Sequence, residues 1–210
     1  VGHRVVHGGT LYDAPVVLTE TADVRASSFL DGERVGAVTS TSYIRHLANG
    51  CITVYRHRFS SQYPGQGAST LVNGLRGSKS YDDGQWQGFA GPDLVAVIEF
   101  GEPVTVSRVT SGYFHNPGVW IFMPSGVECA VSDDGESFRT VGSADNDTSQ
   151  ETAGPYIKDI TVAFEPVTAR YLRVHTDALG TCPGWHVGAG MAAWMFVDEI
   201  IVEQGGGLKE

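Results

Sequence analysis

The residues most suggestive of chemistry stand together at positions 181–203, TCPGWHVGAGMAAWMFVDEIIVE, where a cysteine, a histidine and two tryptophans surround three glycines. Cys182 and His186 are four residues apart, a spacing that two ligands of one metal ion can have. A structural zinc site takes four such ligands, and the sequence offers no second Cys/His pair at a matching spacing. The sequence therefore disfavours zinc.

The segment GAGMAA, residues 188–193, imitates the glycine-rich fingerprint of dinucleotide-binding proteins. That fingerprint requires a strand immediately before it and a helix after it. Here a loop containing Pro183 precedes the glycines and a strand is predicted to follow closely. The glycines are better explained by a tight turn or by a close approach of the backbone to a neighbour or ligand.

Asp198 and Glu199 look like the paired carboxylates of a glycosidase. On a strand, however, neighbouring side chains point to opposite faces, so these two cannot both flank one glycosidic bond. We expect one of them to face the core edge or a bound ion and the other to face solvent. The sequence also lacks a Gly-x-Ser-x-Gly motif, and we predict no active site in this chain.

A second stretch, LVNGLRGSKSYDDGQW at residues 71–86, is rich in oxygen ligands from Asn73, Ser78, Asp82 and Asp83. Carboxylate, amide, hydroxyl and backbone carbonyl oxygens are the ligands that Ca²⁺ prefers. The alternative is a solvated loop rich in turns, and the residue types alone favour this alternative.

Aromatic residues also stand in segments that read as loops: Tyr63, Trp86, Phe89, Tyr113, Trp120, Trp185 and Trp194. A pyranose has one apolar face and a rim of hydroxyl groups, so an aromatic ring beside a polar side chain suits it. We expect Trp185 to stack on a sugar and His186 to hydrogen-bond a hydroxyl group, with His115 or Trp120 facing them. The alternative is that Trp185 closes the end of a sandwich.

The elements that would position these residues are strands. Helical periodicity is nearly absent, and short apolar runs alternate with turn signals throughout, which indicates an all-β protein with antiparallel sheets packed face to face. SDDGESF, residues 132–138, predicts a tight turn with the Asp-Gly pair at the positive-φ position. The clearest predicted strands are Leu94–Phe100, Val106–Phe114, Val127–Ser132, Ile157–Phe164, Ala169–Thr176 and Phe196–Glu203.

The first ~50 residues read as a separate unit. They are predicted to hold three or four strands with a turn at Asp31-Gly32, and a new unit begins with a strand near Ile52–Phe59. The net charge of −10 argues against nucleic acid or an anionic membrane as a partner, and the longest apolar run, Met191–Val197, is too short to cross a bilayer. Three scattered cysteines do not suggest a disulfide framework.

Four blocks, LVNGLRGS, WQGFAGPDLVAVIEFG, WIFMPSGVECAVSDDGESF and CPGWHVGAGMAAWMFVDEI, follow one another in an order that resembles the C-terminal end of bacterial β-N-acetylhexosaminidases of glycoside hydrolase family 20. Residues 50–203 look like the coagulation factor V/VIII C-type domain of these enzymes. This discoidin-like domain is a relative of family 32 carbohydrate-binding modules. The preceding YDAPVVLTETADVRASSFLDGERVG resembles the end of the small sandwich that follows their catalytic barrel.

The resemblance implies a discoidin-like jelly-roll β-sandwich at residues 49–205. Part of a smaller β-sandwich would precede it at residues 1–48, and a tail would follow at 206–210. It implies a non-catalytic accessory module of a periplasmic or extracellular hexosaminidase, whose partners are the catalytic barrel and a glycan containing N-acetylhexosamine or galactose. One rival is a purely structural domain packed on that barrel. Another is a cell-surface adhesion module, which usually exposes apolar spikes on its loops; we expect no such cluster here.

The resemblance also implies a Ca²⁺ site near the join of the first and last strands. In the family this site uses an Asp-Gly loop and a glutamate of the last strand, and the matching positions here are Asn73-Gly74 and Glu199. Carbonyl oxygens near Arg76 and the Ser78 hydroxyl group would complete the shell. Asn73 departs from the usual aspartate and removes one negative charge.

Overall fold

The computed structural model describes residues 11–205. The chain divides into two compact units between Arg45 and His46. The boundary that we predict after residue 48 lies three residues further along, and the assignment of residues 1–48 to a small sandwich stays a prediction. The predicted tail, 206–210, and residues 1–10 lie outside the described residues.

In the first unit, residues 11–45 contain one antiparallel hairpin formed by β1 (Ala22–Leu30) and β2 (Glu33–Tyr43). The predicted turn at Asp31-Gly32 is confirmed. Both residues have positive φ, 51° and 85°, which is what the tightest hairpin turns require. The expectation of three or four strands is wrong for the described part of this unit, because the turn joins two long strands instead of several short ones.

The second unit is built from strands, and every pairing among them is antiparallel. Short 3₁₀ helices at Gly67–Val72 and Pro117–Val119 lie between strands. The strands are β3 (Ile52–Tyr55), β4 (Gln87–Ala90), β5 (Leu94–His115), β6 (Gly126–Ser132), β7 (Arg139–Asp145), β8 (Tyr156–Asp177) and β9 (Trp194–Glu203).

The six clearest predicted strands all form, but four of them merge into two long strands. Leu94–Phe100 and Val106–Phe114 both belong to β5, and Ile157–Phe164 and Ala169–Thr176 both belong to β8. The pairing register of β5 with β8 shifts between Glu99 and Val104, so the strands bend there without ending.

These two bent strands connect the layers of a sandwich. The first part of β5 pairs with β3 and with the second part of β8, which continues to β6 and then β7. The second part of β5 pairs with the first part of β8 and with β9, which continues to β4. The all-β jelly-roll sandwich is therefore confirmed.

The core lies between the layers. Along β5, Leu94, Ala96 and Ile98 are buried and the residues between them are partly exposed, as expected for a strand with one inward face. They join one apolar cluster with residues of the other strands, among them Val174 and Val197. Burying each large aliphatic side chain contributes about 1.5–3 kcal/mol. Within residues 11–205, no helix has the length and apolar composition needed to cross a membrane.

Candidate functional site

Two loops at one end of the sandwich carry most of the predicted binding residues. One follows β5 at residues 116–123, and the other precedes β9 at residues 181–193. Their backbones are joined where Phe122 N–H donates to Trp194 O and Trp194 N–H donates to Trp120 O, both at 2.9 Å. We call these two segments the loop pair.

The 181–193 loop is closed by its own backbone. Cys182 N–H donates to Met191 O at 2.8 Å, and Gly190 N–H donates back to Cys182 O at 3.0 Å. Between these ends, His186 N–H donates to Pro183 O at 3.0 Å. Such bonds fix the backbone on both sides of Trp185, and they explain why glycines and a proline recur here without any dinucleotide site.

Trp185 is the prominent exposed aromatic residue of the 181–193 loop, with 49% of its surface accessible to solvent. Its ring packs edge-on against His186 and Phe122, with centroid distances of 5.7 and 6.1 Å. Edge-to-face contacts of this kind restrict the indole on one side. The rest of the ring remains available for stacking.

His186 has a different position from the one that we predict. It is only 9% exposed, its Nε2 lies 2.9 Å from Pro117 O, and its Nδ1 accepts the N–H of Gly188 at 3.1 Å. With Nδ1 as acceptor, the ring hydrogen is assigned to Nε2. Both nitrogens are used to tie the two loops together, so His186 positions the site and does not present a free donor to a hydroxyl group.

Trp120 lies half-buried beneath the same loop. Its φ of 68° places it in the left-handed region, which is rare for a bulky residue. Its ring packs edge-on against that of His186, with the ring centroids 5.7 Å apart. The indole also lies directly beneath Gly188, where a Cβ would come within 2.8 Å of it. Trp120 thus supports the loop, and only glycine fits above it.

His115 is fully buried, which removes it from the surface on which we expect a ligand. Its Nε2 lies 2.9 Å from Thr152 O, and its ring packs at 4.8 Å from that of Tyr156. Burial lowers the pKa of His115, which favours the neutral ring. The reason is that β5 extends one residue beyond the predicted end, and His115 is an inward-facing strand residue.

Other aromatic residues pack together near the loop pair, a grouping that the sequence does not predict. Tyr81 belongs to the oxygen-rich segment 71–86, yet its ring packs against those of Tyr63 and Phe196, with centroid distances of 5.9 and 6.0 Å. Three aromatics that read as loop residues, Trp86, Phe89 and Tyr113, are buried. A small recess is lined by Tyr63, Tyr81, Val119, Ile121, Trp194 and Phe196.

Asp198 and Glu199 are both fully buried, so the expectation that one of them faces solvent is wrong. Asp198 Oδ2 accepts Arg76 Nε–H at 2.7 Å and Gly77 N–H at 2.9 Å. Glu199 Oε1 lies 3.0 Å from His46 Nε2. Burial raises the pKa of both carboxyl groups; Arg76 opposes this rise for Asp198, and the backbone N–H of Gly74 opposes it for Glu199.

The predicted calcium ligands meet nitrogen donors in this arrangement. Glu199 Oε2 accepts the N–H groups of Gly74 and Leu75 at 2.9 and 3.2 Å. Asn73 Oδ1 also accepts the Leu75 N–H, at 2.7 Å, and the Ser78 hydroxyl oxygen accepts the Ser80 N–H at 3.2 Å. A hard cation requires converging oxygens, so this donor set does not fit Ca²⁺. This geometry disfavours the Ca²⁺ site that the resemblance implies, and addition of Ca²⁺ to the protein would test it.

Comparison with models of known protein families finds a match within the region that forms the sandwich. The model of the F5/8 type C domain matches residues 57–196, which are 140 of the 210 residues. No curated protein matches the chain.

Among solved structures, the chain is similar to CpGH89CBM32-5 from Clostridium perfringens, solved in complex with GalNAc-β-1,3-galactose. The identity is 14% and the TM-score 0.49, over 76% of this chain and 100% of that one. For the family 32 carbohydrate-binding module of Streptococcus pneumoniae EndoD the identity is 14% and the TM-score 0.49, over 77% and 100%. For chitosan-binding module 1 from Paenibacillus sp. IK-5 the values are 18% and 0.46, over 76% and 99%. The F5/8 type C model covers two thirds of the length of the present chain, and the chain therefore belongs to the F5/8 type C domain family.

Proposed function

We propose that the loop pair binds carbohydrate through Trp185. The observation that carries the proposal is the half-exposed indole on a loop closed by its own hydrogen bonds. The apolar face of a pyranose stacks on such a ring, and a side chain that is already held in place loses little entropy on binding. A single stacking residue supports a dissociation constant of about 0.1–10 mM.

In this proposal His186 and Trp120 act as positioning residues. His186 ties the 181–193 loop to Pro117, and Trp120 fills the space beneath Gly188. The contacts made by Trp185 with His186 and Phe122 then set the angle at which the indole meets a sugar. This division of roles differs from the predicted one, in which His186 hydrogen-bonds the sugar and His115 or Trp120 faces it.

We further propose that the domain is a non-catalytic accessory module of a secreted β-N-acetylhexosaminidase, periplasmic or extracellular, whose ligand contains N-acetylhexosamine or galactose. The resemblance of four ordered sequence blocks to such enzymes supports this context. The burial of Asp198 and Glu199 supports a purely binding role, because neither carboxyl group can reach a glycosidic bond in solvent. The catalytic barrel would be its covalent neighbour in the parent chain.

A second candidate function is adhesion to a protein or lipid surface. We expect no apolar cluster from the sequence, yet Val187 and Met191 are exposed on the same loop as Trp185. Contiguous exposed apolar surface is a common mark of interaction sites. The third candidate, a purely structural domain packed on the barrel, would require the indole of Trp185 to be covered in the parent enzyme.

The test is titration calorimetry of the chain with N-acetylgalactosamine, N-acetylglucosamine and galactose, chosen after a glycan array. For Trp185→Ala we expect at least a tenfold loss of affinity with an unchanged melting temperature, because the indole is half-exposed. Trp185→Phe should retain part of the affinity.

Val187→Ala is the matched control, since Val187 lies on the same loop and is 91% exposed. Sugar binding should not change in this variant. Wild-type protein that gives no heat with any sugar at 10 mM, or a Trp185→Ala variant that binds normally, would show that the proposal is wrong. Loss of lipid or protein binding in Val187→Ala would favour adhesion.

A further inference from the structure

Three metal-ligating side chains meet where β8 ends and β5 begins. His175 and Asp177 are two residues apart on β8 and therefore share one face of the sheet. Asp93 directly precedes β5, whose first residue, Leu94, pairs with Thr176. The antiparallel register thus places Asp93 opposite Asp177.

The distances within this group fit a common ion. Nε2 of His175 lies 3.3 Å from Asp93 Oδ2 and 3.4 Å from Asp177 Oδ1, and all three atoms are within 4.8 Å of one another. Hydrogen bonds between ionised partners are shorter, at about 2.7–2.9 Å. By contrast, ligand atoms about 2.0–2.1 Å from a tetrahedral ion are separated by about 3.3–3.4 Å.

The negative charges of Asp93 and Asp177 also favour a cation at this place. Like charges directly opposite each other on neighbouring strands are unfavourable, and Asp93 and Asp177 stand in that relation. Among the residues described, His175 is the ion-pair partner of both carboxylates. The nearest arginine on the strand, Arg173, instead lies 3.6 Å from Glu128. A divalent ion bound by all three groups would balance the charges of the two carboxylates.

One ligand is already oriented from outside the group. Asp93 Oδ1 accepts the backbone N–H of Ala178 at 2.8 Å, and this bond turns the other oxygen, Oδ2, toward His175. Hydrogen bonds to a ligand from its surroundings raise the precision of a metal site. The two β8 ligands are held by a strand that pairs on both sides, with β5 and with β6.

We propose that Asp93, His175 and Asp177 bind one divalent transition-metal ion, with Zn²⁺ the best match. One nitrogen and two oxygens suit zinc and cobalt, whereas Ca²⁺ and Mg²⁺ prefer oxygen ligands only. The three side chains are partly exposed, so a water molecule would occupy the fourth position. This site shares no residue with the proposed sugar-binding residues, although Gly91 and Gly180 near it are hydrogen-bonded to Ala193 of the 181–193 loop.

The test is titration of the metal-free full chain with Co²⁺, followed by its visible absorption, and then displacement of Co²⁺ by Zn²⁺. We expect one equivalent of Co²⁺ to give the intense bands of a tetrahedral site. His175→Gln and Asp177→Asn should each weaken binding at least tenfold. Asp177→Asn keeps the side-chain shape, and His175→Gln removes a ring at a partly exposed position, so we expect the fold to survive; a melting curve of each variant checks it.

Glu128→Gln is the matched control, because Glu128 lies opposite His175 on β6 but outside the group of three. Its affinity for Co²⁺ should stay within twofold of wild type. The proposal is overturned if Co²⁺ fails to bind below 1 mM, if His175→Gln binds as well as wild type, or if the bound ion shows thiolate charge-transfer bands. That last result would assign the ion to a cysteine.

Discussion

The loop pair and the buried acid pair use polar groups in opposite ways. In the loop pair, both ring nitrogens of His186 make hydrogen bonds that hold the loops in place. The indole of Trp185, an apolar ring, is half-exposed. In the acid pair, Asp198 and Glu199 are removed from solvent and met by Arg76, His46 and backbone N–H groups. In these two regions solvent exposure, rather than the reactivity of the residue type, marks where a sugar is expected to bind.

The largest expected effect comes from breaking the acid pair. Arg76→Ala leaves Asp198 buried without its guanidinium partner, which should lower the free energy of unfolding by about 3–5 kcal/mol. The control is Arg170→Ala. Arg170 makes a partly exposed ion pair with Glu99 at 3.5 Å, and losing it should cost about 0–1 kcal/mol.

Urea unfolding of both variants measures the difference. Equal losses would mean that Asp198 is stabilised without Arg76, and that the buried acids are held mainly by backbone N–H groups. Sugar binding by Arg76→Ala, measured where the variant is still folded, should match wild type, since the acid pair and the loop pair are separate in function.

An intermediate effect is expected in the loop pair. Gly188→Ala places a methyl group 2.8 Å from the Trp120 ring, and such overpacking costs about 1–3 kcal/mol. It should also displace Trp185 and weaken sugar binding. Gly184→Ala is the control in the same loop, because a Cβ there meets no atom within 4 Å.

Melting temperature and calorimetry with sugar separate the two variants. If Gly188→Ala retains full stability and affinity, the loop adjusts easily, and the idea of a rigid support for Trp185 is wrong.

The sequence predicted much of the fold because alternating apolar residues and turn signals are local. The Asp31-Gly32 turn and the core strands follow from such patterns. The merging of strands into β5 and β8 does not, since a register shift at Glu99 depends on the partner strand. For the same reason the burial of His115 was missed, because one more residue of β5 turns it inward.

Site residues were harder to predict than strands. The exposure of Trp185 agrees with its polar, glycine-rich neighbourhood in the sequence. The roles of His186 and Arg76 depend on partners far along the chain, Pro117 and Asp198, which no local pattern reveals. The group formed by Asp93, His175 and Asp177 likewise appears only when two distant strands are paired.

The smallest expected effect is that of calcium. If Ca²⁺ bound at Asn73, Ser78 and Glu199, a concentration one hundred times the dissociation constant would add about 2.7 kcal/mol of stability. We expect no change in melting temperature on adding Ca²⁺ or a chelator, because N–H donors of Gly74 and Leu75 already occupy the Glu199 carboxylate.

Zn²⁺ at the same concentration is the comparison, since it should bind the separate group around His175. A rise in melting temperature with Ca²⁺ that Asn73→Ala abolishes would restore the calcium site. It would also mean that the loop from residue 73 to 78 turns its carbonyl oxygens inward when the ion is present.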